Sequence, residues 1–240
     1  VSRYKCGGIR MVVEGGRGKS TEQVLLTMLF RNCSLMLIFL MEADRKDNVQ
    51  DVFQRIYTHL GAELYRKLFP VILTDNGASF KDPAIFERPE GELLSRVFYC
   101  DPMASWQKGR LEKNHEFIRY IIPKGTTFAG LDQEQVTLIT NHINSVARAS
   151  LNGCTPFELA LLLIDRKLLD LCQLERIPAN QVILKPSLLK KYCKIHFRCW
   201  FHNQAGGSYF FKSTFSGPKI MPIFQKKLCF LPLLYVNFYE

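Results

Sequence analysis

The feature that most constrains the fold is how the chain begins. A strand-like stretch from Ile9 to Glu14 and two apolar segments, Gln23 to Phe30 and Ser34 to Met41, precede any helical periodicity. Both segments are apolar enough to be buried strands. The spacing then changes: Val49, Val52, Phe53, Ile56 and Leu60 recur at helical intervals, which predicts an amphipathic helix from Asp47 to Leu60. Phe69 to Thr74 reads as a short buried strand and Val97 to Tyr99 as another. Trp106 to Ile121 reads as a helix with Leu111, Ile118 and Ile121 on one face, and Gln133 to Ala149 as a further helix. Three strands, a helix, a strand, a short irregular element, a strand and then helices predict an α/β fold with a mixed sheet flanked by helices.

With 240 residues, 47% apolar and 22% charged, the chain has the composition of a globular protein. Its longest apolar runs, near Ser34 to Met41 and Leu228 to Val236, fall short of the roughly 18 residues that would suggest a membrane span. The opening VSRYKCGGIR has charges but no apolar region behind them, so no export signal is expected and the cytoplasm, in a bacterial setting the nucleoid, is the default location. Residue 1 is Val rather than Met, which suits a fragment or an alternative start and leaves room for an upstream domain. The net charge of +10 is unevenly spread: residues 176 to 239 hold ten Lys/Arg and no Asp or Glu, so the earlier part of the chain is close to neutral. Attraction to phosphate through bulk charge therefore applies to the last quarter alone.

Eight cysteines are scattered without paired short spacings except near the end, and reduced thiols are expected. Cys6, Cys33, Cys100, Cys154 and Cys172 read as small buried residues. Cys193, His196, Cys199 and His202 form the one cluster of metal-ligating types. Zinc sites separate two ligand pairs by a longer loop, whereas successive i+3 steps on a helix spread four side chains around half its surface, so zinc is disfavoured.

Two motifs carry chemistry. In VILTDNG, residues 71 to 77, a buried strand delivers Asp75 at its carboxyl end, where open α/β sheets place their sites, and Asn76-Gly77 lets the chain turn away. Asn-Gly also fits a hairpin, but the following ASFKDPAIFERPEGE lacks strand alternation. In DPMASWQKGRLEKNHEFIRYIIPKGT, residues 101 to 126, Glu112, His115, Glu116 and Arg119 fall at i, i+3, i+4 and i+7 of a helix, forming one polar face. A solvated face with internal ion pairs explains that spacing equally well.

Together, LTDNG, DP..SWQKG..EKNHEFIR.I.PKGT.F and HINS..R..LNG.TPFEL resemble the catalytic core of the insertion-sequence thirty family of transposases, in the retroviral-integrase superfamily, over residues 9 to 165. The resemblance implies an RNase H-like fold and a DDE site, in which Asp, Asp and Glu hold two Mg²⁺ (or Mn²⁺) ions about 3.5–4 Å apart for cleavage and strand transfer on DNA. It puts the second carboxylate at Asp75 and the third at Glu112, with Glu116 only a helical neighbour. It further implies DNA contacts from Lys108, Arg110, Lys113, Asn114, Arg119 and Lys124, element ends and target DNA as partners, and a homo-oligomer on DNA. No membrane association is implied.

The departure is at the first carboxylate, which the family places in the first strand. The sequence there is Ile9-Arg10-Met11-Val12-Val13-Glu14-Gly15, and the expected position falls on Met11 or between Met11 and Val12. Glu14, three residues from Met11, belongs to the opposite side of a regular strand and is a poor substitute on that count. The chain is accordingly expected to be a truncated or inactivated copy. The neighbouring GGRGKS, residues 15 to 20, is not a phosphate loop, because the glycine required four residues earlier is Val13; a β-turn accounts for it.

Residues 1 to 165 form the expected core, 166 to 191 a basic helical extension, and 192 to 240 a basic aromatic tail. In that tail either stacking and charge bind nucleic acid, or translation has run past a disrupted end; the lack of consistent patterning favours the second. Three functions compete: a transposase core, an RNase H-type metal nuclease, and a non-catalytic DNA-binding remnant. The QKGRLEKNHEFIR string favours the first over the second, and the missing Asp favours the third.

Overall fold

The computed structural model describes residues 8–15, 23–74, 77–101 and 109–190, with side chains from 23–74, 77–101 and 113–190. Five strands form one mixed sheet: β1 (Gly8–Gly15), β2 (Val24–Phe30), β3 (Met36–Met41), β4 (Val71–Thr74) and β5 (Arg96–Tyr99), in the order β3-β2-β1-β4-β5. β2 is antiparallel to β1 and β3, while β4 is parallel to β1 and β5. This is the RNase H-like arrangement. It brings the carboxyl ends of β1, β3, β4 and β5 to one margin of the sheet.

β2 carries no alternation because both of its faces are covered. Val24, Leu26, Met28 and Phe30 enter one core with helix α1 (Lys46–Leu68), while Leu25 and Leu29 enter a second core with α3 (Gly109–Ile121) and α4 (Gln133–Asn144). The first core is closed by α2 (Ala84–Glu87), α5 (Pro156–Leu163) and α6 (Arg166–Leu171), through Phe86, Phe157, Ala160, Leu168 and Leu169.

Helix α1 is longer than its first apolar stripe predicts. Beyond Leu60 the chain passes through Gly61 at φ 75 and ψ 168, a conformation open to glycine, and resumes as a helix that buries Tyr65 and Leu68. Helix α4 is shorter than predicted, ending at Asn144 rather than Ala149. Asp132 and Gln135 form a capping box at its start. At its end, Asn144 is fully buried and bonds both backbone groups of Met36, accepting from the N–H at 2.9 Å and donating to the carbonyl at 2.7 Å. Gln133, at the other end, accepts from Leu40 N–H at 2.9 Å and donates to the Ile38 carbonyl at 3.2 Å. Two side-chain amides thus occupy outward backbone groups of edge strand β3, where another strand would otherwise pair.

The LNG.TPFEL segment is also explained by local geometry. Asn152 and Gly153 take left-handed conformations, and Thr155 and Glu158 cap α5 reciprocally with Pro156 at its first turn. A hairpin after Asn76-Gly77 is ruled out, since the next strand, β5, runs parallel to β4. Residues 166 to 190 are helical over α6, after which Glu175, Ile177 and Ile183 donate their N–H groups to Asn141, Ser145 and His142 of α4 and its cap. Of the cysteines predicted buried, Cys33 is buried and its thiol is pushed up to about 11 by desolvation, whereas Cys100, Cys154 and Cys172 are partly buried. Cys6 and the Cys193, His196, Cys199, His202 cluster lie outside the described residues, as does the tail. No helix among the described residues is long and apolar enough to cross a membrane.

Candidate functional site

β4 ends at Thr74, beside the middle of β1: Gly8, Ile9 and Arg10 are paired with Val71, Ile72 and Leu73. Asp75 follows immediately in sequence and lies outside the described residues. Continuing the parallel register one step sets Met11 abreast of Thr74.

The antiparallel register on the other side of β1 decides which positions share which face. Met11 is paired with Met28, which belongs to the α1 core, whereas Val12 is paired with Thr27 and Glu14 with Leu25. Leu25 belongs to the core containing α3 and α4. Directly opposed residues occupy the same face of a sheet. Arg10, Val12 and Glu14 are therefore the β1 positions on the α3 face, and Met11 is on the α1 face. Glu14 is opposite Met11, as alternation requires, but it is Met11 that lies on the side away from α3. Glu14 shares its face with Val12.

Helix α3 carries Glu112 in its first described turn. Its orientation is fixed by the residues that follow. His115, expected on a polar face with Glu112, Glu116 and Arg119, is instead only 3% exposed, and its Nε2 lies 2.8 Å from the Thr27 hydroxyl in the sheet. Thr27 breaks an otherwise apolar strand because it meets this imidazole. Asn114 is 4% exposed, and its Oδ1 accepts from the Arg148 guanidinium at 2.7 Å. The expectation of Asn114 at a DNA surface gives way to an internal role, because this amide satisfies a half-buried cation. Ile118 and Ile121 are buried as predicted, and Glu116 is exposed on the outer side of the helix.

Of the expected cations, Lys113, Arg119 and Lys124 are exposed. Arg110 falls in α3 with its side chain outside the described set, and Lys108 lies outside the described residues altogether. The same holds for the Glu112 side chain. Among the described residues no group of three or more His, Cys, Asp and Glu could hold a metal ion. By donor chemistry, Asp75 and Glu112 offer the hard carboxylate oxygens that Mg²⁺ takes, and β1 adds a carboxylate residue, Glu14, on the α3 face.

Sequence reading missed Arg148, Thr27, Gln133 and the role of Asn144. The available signals were one polar residue within VLLTMLF and the HINS..R motif, which contains Asn144 and Arg148 without showing what they bind; nothing local marks Gln133.

No protein-family model matches the chain. The transposase for insertion sequence element IS4351 of Bacteroides fragilis is 33% identical over 93 residues, 39% of this chain and 28% of that protein. The transposase for IS1086 of Cupriavidus metallidurans is 35% identical over 63 residues, covering 26% and 19% of the two chains. Transposase InsI for IS30A of Escherichia coli is 34% identical over 64 residues, covering 27% and 17%. The chain thus spans less than a third of the length of these relatives. Among solved structures, the HTLV-2 integrase catalytic core domain, in a complex with magnesium, matches at a TM-score of 0.44 and 13% identity over 63% of this chain and 94% of that one. At that score the fold assignment rests on the strand order above. Over part of its length the chain is therefore homologous to insertion-sequence transposases.

Proposed function

We propose that this chain is the catalytic core of an insertion-sequence transposase of the insertion-sequence thirty family, built for metal-dependent cleavage and strand transfer of DNA and impaired at its first carboxylate position. The observation that supports the reading is that α3 packs on the face of the sheet that carries the β1 positions Arg10, Val12 and Glu14, fastened there through His115 and Thr27, three residues from Glu112, while β4 pairs with β1 and leads into Asp75. Asp75 and Glu112 would hold the ions. Bound Mg²⁺ or Mn²⁺ would supply Lewis-acid activation of the attacking and leaving oxygens. Lys113, Arg119 and Lys124, with Lys108 and Arg110, would hold the DNA backbone against the carboxylates.

In an intact site the first carboxylate must belong to the α3 face. Val12 is the β1 position on that face next to the end of β4, and it brings no oxygen. Glu14 follows two residues later, roughly 6–7 Å further along the strand. Its longer side chain makes it the partial substitute in this reading. The missing Asp also favours the competing reading, a DNA-binding remnant without catalysis.

The test compares the chain with its Val12→Asp, Met11→Asp, Glu14→Gln and Asp75→Ala variants, measuring Mn²⁺ affinity and joining of pre-cut element ends. Val12→Asp should tighten Mn²⁺ binding by at least tenfold and raise joining, while Met11→Asp should do neither. Glu14→Gln should weaken the residual Mn²⁺ binding of the unmodified chain. Recovery by Met11→Asp alone would refute the register argument. Metal-dependent DNA joining absent from every variant, with DNA binding retained, would support the non-catalytic remnant.

A further inference from the structure

Arg148 stands where three parts of the molecule meet. Its backbone N–H donates to the Cys154 carbonyl at 3.0 Å, and its own carbonyl accepts from Leu151 and Gly153 at 3.0 Å each, so the turn from 148 to 154 closes on it. Its guanidinium leaves that turn, donates to the Ile143 carbonyl at the end of α4 at 3.2 Å and to Asn114 of α3 at 2.7 Å, and lies 4.0 Å from the ring centroid of Phe117. Arg148 therefore grips two residues of α3, one turn apart.

The group is expensive for a packing element. It is half-buried, its Nε has no hydrogen-bond partner among the described residues, and no carboxylate pairs with it there. Burial draws its pKa down to about 10. Apolar side chains fill such a space at less electrostatic cost, and buried charged groups are weak contributors to stability. What the planar fork supplies, and a methionine would not, is direction: one edge on an amide oxygen and one flat face on a ring.

We propose that Arg148 is a positioning residue that sets the rotation of α3 about its axis, and through it the placement of Glu112; the link to function rests on the transposase reading above. Asn114 and His115 are adjacent in sequence and are held from different sides, Asn114 by Arg148 and His115 by Thr27 of the sheet. Two restraints on neighbouring residues, about 100° apart around the helix, resist its rolling more than either one alone, and they add direction to the apolar packing of Ile118 and Ile121. Glu112 lies two and three residues before these anchors, in the turn whose orientation they determine.

The test uses the full chain and its Arg148→Met, Arg148→Lys, Asn114→Ala and Asn114→Ala/Arg148→Met variants. Amide hydrogen exchange over residues 111 to 117 reads the helix directly and needs no metal. Arg148→Met should speed exchange in that turn about tenfold with α1 still protected, and Asn114→Ala should do the same. The double variant should add little to either single one, because both remove one restraint. Arg148→Lys should restore a minor part of the protection, since an ammonium keeps the charge but not the fork. Mn²⁺ affinity should fall in parallel, about tenfold per folded molecule. Unchanged exchange in α3 would overturn the proposal, as would a lowered melting temperature with Mn²⁺ affinity intact. If the unmodified chain binds no Mn²⁺, the transposase reading fails and the exchange data alone decide whether Arg148 orients α3.

Discussion

The two faces of the sheet are held by different means. On the α1 face the contacts are mainly apolar and aromatic: Phe53 meets Phe86 at 4.8 Å and Phe69 at 6.3 Å between ring centroids, and Tyr65 stacks on Phe69 at 5.0 Å, with buried hydrogen bonds from Tyr65 to the Phe86 carbonyl and from Ser95 to the Phe69 carbonyl added to them. The α3 and α4 face has an aliphatic core of its own, but polar groups fix its geometry: His115 on Thr27, Asn144 on Met36, Gln133 on Ile38 and Leu40, and Arg148 on Asn114. Apolar burial is strong but has little direction, whereas a buried hydrogen bond adds little net stability and tolerates few geometries. One face mainly supplies folding free energy, and the other specifies where α3 sits, which is what a site divided between a helix and strand ends needs.

The comparison breaks most visibly at Phe53. This side chain is fully buried between α2 and the end of α1, so Phe53→Ala should lower stability by about 3–5 kcal/mol in denaturant titration. A loss below about 1 kcal/mol would mean that the α1 face is not where the stability resides. Asn144→Ala tests the other face. It leaves the Met36 N–H and carbonyl without their partners in a buried place, and a loss of about 2 kcal/mol is expected. The more telling result is faster amide exchange along β3, because the edge strand would lose its cover.

Sequence patterning reached the first face more readily than the second. Val49, Val52, Phe53, Ile56 and Leu60 announce the inner stripe of α1 because helical periodicity is local, and β2 is legible as buried because it is apolar throughout. The polar pins are not local: His115 and Thr27 are 88 residues apart, and Asn144 and Met36 are 108 apart. Period-two alternation also fixes which residues of β1 share a face without saying which face it is. That choice needed the register to β2, and β2 gives little hint of it, because apart from Thr27 both its sides are apolar. Asn114 looked like a surface group for a related reason, since a buried amide and an exposed one have the same spacing on a helix.

The smallest effect on stability, and the sharpest on binding, is expected from the exposed cations beside α3. Lys113, Arg119 and Lys124 are solvent-exposed, so replacing each with Ala should change stability by no more than about 0.5 kcal/mol. If each contacts one phosphate of duplex DNA, releasing its share of counterions, the triple variant should flatten the slope of log affinity against log salt by up to about 2.7. Asn114→Ala is the comparison. It removes no charge, and Asn114 is neighbour to Lys113 in sequence but buried against Arg148, so it should lower stability and change the salt slope far less than the triple variant. A triple variant that binds duplex DNA with the original affinity and slope would make these cations a solvated surface. A changed slope in Asn114→Ala would mean that rolling α3 moves the cations as well as Glu112, so that DNA contact and carboxylate placement depend on the same pair of anchors.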